Sequence, residues 1–309
     1  VRAAGITALG APVTEFDLPD PPAPGPGEVV IAVRAAGVGN WDGIVRTGGW
    51  DTGAAPPMAL GVEAAGVIVA AGPEALGWGP GAAVMTHPLP LRHQGTWSEL
   101  LLAPADLLAP KPPGASWEEA AAFPVPALTA EQALEAVAGD ATRGSLLVHG
   151  AGGATGRLVA ALGILRGLDV IAVAGPASAD GLAALGVGRV LDRHDPGWPR
   201  EVRRLTRGAG TAAAVNAARG GERGALAAVA DGGRLATITG DPPAAERGVT
   251  VTDVYVRPDG GRLTALAGLL GSGAVGVPVG AALPLSRAAE ALEVAMEGRG
   301  GGAVVLTVG

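Results

Sequence analysis

The 309-residue chain contains no cysteine. Disulfides and thiolate metal sites are thereby excluded, and a reducing compartment fits without being required. Positive charge is also scarce. The 22 Lys and Arg residues stand against 29 Asp and Glu, for a formal net charge of −7, and the basic residues are scattered. Recognition of nucleic acid needs them clustered against phosphate, so no such partner is expected. No run reaches the roughly 18 uninterrupted apolar residues of a membrane helix. The first residues lack a basic region followed by an apolar run, so neither a membrane partner nor secretion is expected, and the location expected is cytoplasmic. Four scattered histidines make no metal-ligand pattern, and no Ser/His/Asp spacing points to a hydrolase.

What is present is a chain that is 48% hydrophobic and 17% charged, with 52 glycines. Such a chain can bury a large core, and its length suggests two domains. Residues 1 to about 110 hold short β-type runs, Glu28–Val38, Ala64–Gly72 and Ser98–Ala103, separated by Pro and Gly clusters. They predict an all-β, barrel-like half. Ser116 followed by Glu119 predicts a helix N-cap, with a stop near Gly139. From Leu146 onward strand and helix patterns alternate: strands at 146–149, 169–174, 189–192, 212–217 and 233–238, each followed by a helix. Alternation with short connections predicts an α/β unit with a parallel sheet covered on both faces. A last helix near Arg287–Glu297 and a strand at Ala303–Val308 are read as returning to the first domain. The expected domains are therefore 1–115 with 276–309, and 116–275.

The segment VHGAGGATG, Val148–Gly156, joins the first strand of this series to its helix. Ala151, Gly153 and Gly156 stand at the spacing of a dinucleotide fingerprint, with alanine at its first position. Glycines there let the backbone turn tightly, approach a pyrophosphate and pack helix against strand. N–H groups at the helix start then receive the anion. Ala151, Gly152, Gly153, Ala154, Thr155 and Gly156 are the expected cofactor loop. A site for NAD usually carries Asp or Glu at the end of the second strand. Here Val173–Ser178 offers none, which leaves room for a 2′-phosphate, with Ser178 and Arg193 as donors. NADPH is the cofactor expected. For Arg193 the plainer alternative is a solvated surface charge.

Several motifs in order resemble the zinc-independent medium-chain dehydrogenase/reductases, and among them the quinone oxidoreductase branch: AAGVGNWDGIVRTG (35–48), LGVEAAGVIVAAG (60–72), VPALTAEQAL (125–134) and VHGAGGATG. The resemblance runs almost end to end. It implies a GroES-like β-barrel catalytic domain, a Rossmann doubly wound parallel-sheet domain inserted into it, a cofactor in the cleft between them, and a homodimer. In zinc-dependent relatives the first catalytic cysteine falls near Gly39, and a metal-binding histidine falls at Val62. Neither residue can bind zinc, so no metal is expected. Simple alcohol oxidation is then disfavoured, because it gains from Lewis-acid help with the alkoxide. Reduction of a quinone or of the activated C=C of an α,β-unsaturated carbonyl (an enone) is the leading expectation. Zinc-free reduction of a ketone and a non-catalytic cofactor-binding relative are the alternatives.

In such an enzyme the protein contributes positioning and hydrogen bonds to a developing oxygen anion. Asp42 matches the aspartate of the family's first motif, and Asn40 stands one residue from where many relatives carry asparagine. Either contacts substrate, or both are turn residues capping the next helical piece. Thr129 matches a threonine expected to approach the nicotinamide; its alternative is a bond back to a helix carbonyl. Trp41, His87 and His93 are candidates for the substrate pocket, although a core tryptophan and surface histidines would read the same. His149 is expected to be packed at the end of its strand. Tyr255, the one tyrosine, has no motif that places it at the site.

Overall fold

The computed structural model describes residues 1–138, 143–299 and 301–309. They divide into two compact units, Val1–Val125 with Arg257–Gly309, and Pro126–Val256. The first unit opens with β1 (Arg2–Ile6), β2 (Thr14–Asp17), β3 (Glu28–Val38), α1 (Asn40–Arg46), β4 (Met58–Ala59), β5 (Ala64–Ala71), β6 (Ala83–Thr86), β7 (Leu100–Pro104), β8 (Leu108–Pro110) and α2 (Trp117–Ala121). Among the described residues, β2-β1-β4 form one antiparallel sheet, and β3 lies central in a second, pairing with both β5 and β7. The two sheets share a core: Ala4 and Ile6 of the first sheet pack with Val29, Ile31, Ile68, Val84, Trp97 and Leu101. Long runs of Val, Ile and Ala serve these strands because most of their side chains are buried.

α3 (Pro124–Ala138) carries the chain into the second unit. One helix was expected from the Ser116 cap to Gly139; the structure has two. The cap itself forms, with Glu119 N–H donating to Ser116 Oγ at 3.1 Å and Ser116 N–H donating to Glu119 Oε2 at 2.8 Å. Pro124 ends that helix, because proline supplies no amide and drives the preceding residue out of helical conformation. It also suits the first position of a new helix. Gly139 lies outside the described residues.

The second unit alternates as expected: β9 (Ser145–His149), α4 (Ala154–Leu165), β10 (Asp169–Ala174), α5 (Ala179–Ala184), β11 (Arg189–Asp192), α6 (Trp198–Leu205), β12 (Thr211–Asn216), α7 (Glu222–Ala228), β13 (Val229–Thr237) and β14 (Thr250–Asp253). The sheet is parallel, in the order β11-β10-β9-β12-β13-β14. Its strand order reverses between β9 and β12, the switch point at which such sheets receive ligands at their carboxyl ends. β14 had no expectation from sequence, its four residues being a short match to the alternating strand pattern, and it lies half-exposed at the sheet edge.

The chain then re-enters the first unit with α8 (Gly260–Gly271), β15 (Val279–Pro284), α9 (Ala288–Glu297) and β16 (Ala303–Thr307). β16 pairs with β3 and with β15. The second compact unit thus spans 126–256, where 116–275 was expected. α2 packs on β3 and β5, and α8 packs on β8, so both helices belong with the antiparallel sheets. No helix among the described residues is long and apolar enough to cross a membrane.

Candidate functional site

In the second unit the turn from β9 to α4 is built by backbone. Gly150 sits at φ +80°, a left-handed conformation that glycine adopts without strain. Its N–H and that of Ala151 both donate to Val173 O, at 3.0 and 3.2 Å, which ties the turn to the end of β10. A Cβ on Gly156 would fall on the carbonyl of Gly150, with its carbon at 2.7 Å, so this glycine lets helix and turn touch. Gly153 differs. It is exposed, a Cβ there would meet nothing nearer than Gly150 O at 3.6 Å, and it starts α4 with no side-chain cap. The first-turn N–H groups, of Ala154, Thr155 and Gly156, have no intrahelical acceptor. The turn is a fit for a pyrophosphate.

The segment Val173–Ser178 at the end of β10 carries no acid, although β11 sets Asp192 in register with Ala174. Ala174 and Gly175 end the strand, and Ser178 is half-buried with its Oγ 2.5 Å from where a Cβ on Gly152 would stand. Arg193 is exposed; its Nε lies 3.4 Å from His194 Nε2 and 3.5 Å from a Cβ position on Gly175. At the switch point, His149 ends β9 and Asn216 ends β12. Nδ1 of His149 lies 2.7 Å from Asn216 Oδ1, and the ring stacks on Trp198 with centroids 5.3 Å apart. Burial pushes the His149 pKa down, with the hydrogen bond to Asn216 opposing. Thr129 is buried on α3, and Tyr255 is exposed.

In the first unit Asp42 is fully buried. Its Oδ2 accepts from Gly39 N–H at 2.8 Å, which caps the start of α1, so the capping alternative describes its geometry. Burial pushes its pKa from 3.8 to about 7, and the amides of Gly39 and Gly61 oppose the shift only in part. Asn40, the first residue of α1, is exposed. Trp41 is half-buried and folds over Gly39, where a Cβ would fall inside its indole. His87 is buried, and its Nδ1 lies 2.7 Å from Val62 O. Burial pushes its pKa down to about 4, so the ring is neutral at physiological pH. His93 is half-buried.

Residues 25–113 match the family described as alcohol dehydrogenase GroES-like domain, and residues 185–306 match the one described as zinc-binding dehydrogenase. A solved NAD-dependent alcohol dehydrogenase is 31% identical, with a TM-score of 0.86 and 100% of each chain covered. The chain belongs to the medium-chain dehydrogenase/reductase family. A mycobacterial quinone oxidoreductase is similar at 28% identity, TM-score 0.81 and 99% of each chain. A mycobacterial structure in complex with NADPH is similar at 27% identity, TM-score 0.85 and 100% of each chain. Erythronolide synthase EryA2 of Saccharopolyspora erythraea is 35% identical over 197 residues, 63% of this chain and 5% of the synthase. The matched segments make up 5 to 45% of the length of the first curated relatives.

For a medium-chain dehydrogenase/reductase, one first-unit residue stands out that sequence reasoning passed over. Glu63 is buried in the segment between β4 and β5, and its Oε2 accepts from Val125 N–H, in the first turn of α3, at 2.7 Å. Burial holds this carboxyl well above its ordinary range, the Val125 amide opposes, and the nearby Asp42 adds to the rise. A carboxyl at a helix start satisfies one of its unpaired N–H groups. The available signal was a lone acid in the apolar run ALGVEAAGV. The His149–Asn216 contact had no such signal, because the two residues are 67 positions apart.

Proposed function

We propose that the chain is an NADPH-dependent reductase of quinones or of the activated C=C of α,β-unsaturated carbonyls, acting without zinc. The observation that carries this reading is the chemistry of two positions. Where zinc-dependent relatives place metal ligands, this chain has Gly39, covered by the Trp41 indole, and the buried Val62. Neither offers a donor atom, and zinc, which one family description implies, does not fit. Hydride delivery to a conjugated carbonyl spreads the developing charge and needs less Lewis-acid help than alkoxide chemistry.

The cofactor fits the second unit. Residues Ala151–Gly156 would hold the pyrophosphate on backbone N–H groups, and Ser178 and Arg193 would face the ribose phosphate. When bound, the nicotinamide supplies the hydride. The chain orients the reactants: Thr129 is assigned to the nicotinamide side, and Asn40, Asp42, Trp41, His87 and His93 to the substrate side. The mycobacterial neighbour with NADPH supports this choice, as does the lack of an acid within Val173–Ser178. The small-molecule class proposed is a quinone, enone or ketone, and the proposed assembly is a homodimer.

A second reading, reduction of a simple ketone, has the similarity to an NAD-dependent alcohol dehydrogenase in its favour. The test is oxidation of NADPH against a panel of quinones, enones and ketones, with products identified. A hydroquinone or a saturated ketone is expected. An allylic alcohol from an enone would establish carbonyl reduction instead.

A further inference from the structure

Beyond β10, two polar side chains occupy room that glycines leave. One is Ser178, whose Oγ lies 2.5 Å from the place a Cβ on Gly152 would take. The other is Arg157, the residue that follows the Ala151–Gly156 turn and the fourth of α4. Helical side chains lean toward the N-terminus of their helix, so one at this position reaches back toward the turn. The Arg157 guanidinium rests on α5: its Nη1 lies 2.9 Å, and its Nη2 3.9 Å, from the place a Cβ on Gly181 would take. Residues Pro176–Ser178 form a 3-10 turn that runs directly into α5. Ser178 and Gly181 thus stand three apart, the spacing at which helical neighbours share a side. Charge adds a second observation. The first turn of α4 holds no acid, and no acid among the described residues pairs with Arg157; the one acid of α5, Asp180, is exposed. A cation therefore stands at the positive end of a helix dipole, where an anion is the favoured neighbour.

We propose that Arg157 is a specificity-determining residue for the cofactor: with Ser178 it takes the 2′-phosphate of NADPH, while the amides of the adjoining turn take the pyrophosphate. This rests on the NADPH reading above and deepens it. One helix start then serves both phosphate groups, the pyrophosphate through its backbone and the monoester through its fourth side chain. A guanidinium meets a phosphate with parallel N–H donors, and the Ser178 hydroxyl adds another. The bound anion also relieves the cation at the start of α4. NADH, with a neutral hydroxyl in place of the phosphate, gains none of this. Arg193 is exposed and adds a charge that salt screens, whereas Arg157 is half-buried and held against α5.

The test is calorimetric and needs no turnover. Adenosine 2′,5′-bisphosphate is compared with AMP, which lacks the 2′-phosphate, and NADPH with NADH. The wild type should favour the 2′-phosphorylated member of each pair by about 10- to 100-fold, the range of a hydrogen bond to a charged group. Arg157→Met keeps an unbranched stem without the charge. It should lose most of that preference by weakening the 2′-phosphorylated ligands alone, with AMP and NADH nearly unchanged. Arg157→Lys, a point charge without the planar fork, should recover part of it.

Gly181→Ala probes the placement of the guanidinium and leaves its charge in the chain. The new Cβ would stand 2.9 Å from Nη1, a contact the flexible arginine relieves by moving away, and alanine suits a helix better than glycine. This variant should melt no lower than the wild type and still bind NADPH about three- to tenfold more weakly, a fraction of the charged hydrogen bond, with NADH unchanged. A purely structural Arg157 gives the opposite pattern, in which Arg157→Met melts lower and weakens both members of each pair alike. That pattern, an undiminished preference in Arg157→Met, or unchanged NADPH affinity in Gly181→Ala overturns the proposal. A wild type that binds NADPH no better than NADH overturns the NADPH reading and the proposal together, so the wild-type measurement tells the two failures apart.

Discussion

The turn Gly150–Gly156 in the second unit and the residues around Gly61–Glu63 in the first both gather polar groups, by opposite physical means. In the turn, side chains are missing and the backbone is the working surface. Gly156 permits contact, Gly153 leaves space, and the amides at the start of α4 need no particular pH. In the first unit the polar groups are side chains taken out of water and held by the backbone: Asp42 by Gly39 N–H, Glu63 by Val125 N–H, His87 by Val62 O. Burial without counter-charges leaves all three favouring their neutral forms. A backbone anion site thus stays constant across pH, whereas a buried carboxyl site couples proton uptake to folding.

The largest effect should come from a pair of substitutions within the turn. Gly156→Ala places a Cβ on the Gly150 carbonyl, a clash that packing can relieve only by shifting helix or turn, at a cost of about 1–3 kcal/mol or more. Both melting temperature and NADPH affinity should fall. Gly153→Val has room on the protein side, so the fold should survive, while NADPH binding, read by calorimetry, is lost. Similar melting temperatures for the two variants would erase the distinction between contact and clearance.

The pH contrast should be smaller. Because the folded Asp42 pKa is raised from 3.8 to about 7, the folded chain retains a proton that the unfolded chain releases. Its contribution is fully present below about pH 3.8, declines as pH rises, and is gone above about pH 7. Glu63 acts in the same direction. Between pH 5.5 and pH 8 the Asp42 share amounts to about 2 kcal/mol, at ~1.4 kcal/mol per unit. Urea unfolding should show wild-type stability falling over that interval and Asp42→Asn falling less. An equal decline in both would mean that Asp42 is ionised in the folded protein.

The smallest effect concerns Arg193. It is exposed, so its interaction with a ribose phosphate is screened by salt. Arg193→Ala should weaken NADPH binding about tenfold at low salt, in line with a hydrogen bond to a charged group, and leave NADH binding nearly unchanged. Equal losses for both cofactors would remove Arg193 from the phosphate site.

The strand–helix alternation of the second unit, the glycine turn, the lack of an acid in Val173–Ser178 and the donor-free Gly39 and Val62 were legible in the sequence. Each depends on a local pattern: strand and helix periodicity, the spacing of three small residues, or the identity of one residue in a motif. Where local pattern competes with tertiary packing, sequence reasoning fell short. The Ser116 cap was right, but Pro124 redirected the helix. Thr250–Asp253 paired as an edge strand only because β13 lay beside it. α8 joined the antiparallel sheets although its pattern continued the α/β series. Tertiary structure alone decided that burial pushes the carboxyls of Asp42 and Glu63 up, that the His87 ring meets Val62 O, and that His149 meets Asn216. Protonation and tautomer depend on what surrounds a group, and those surroundings are assembled from segments that only folding brings together.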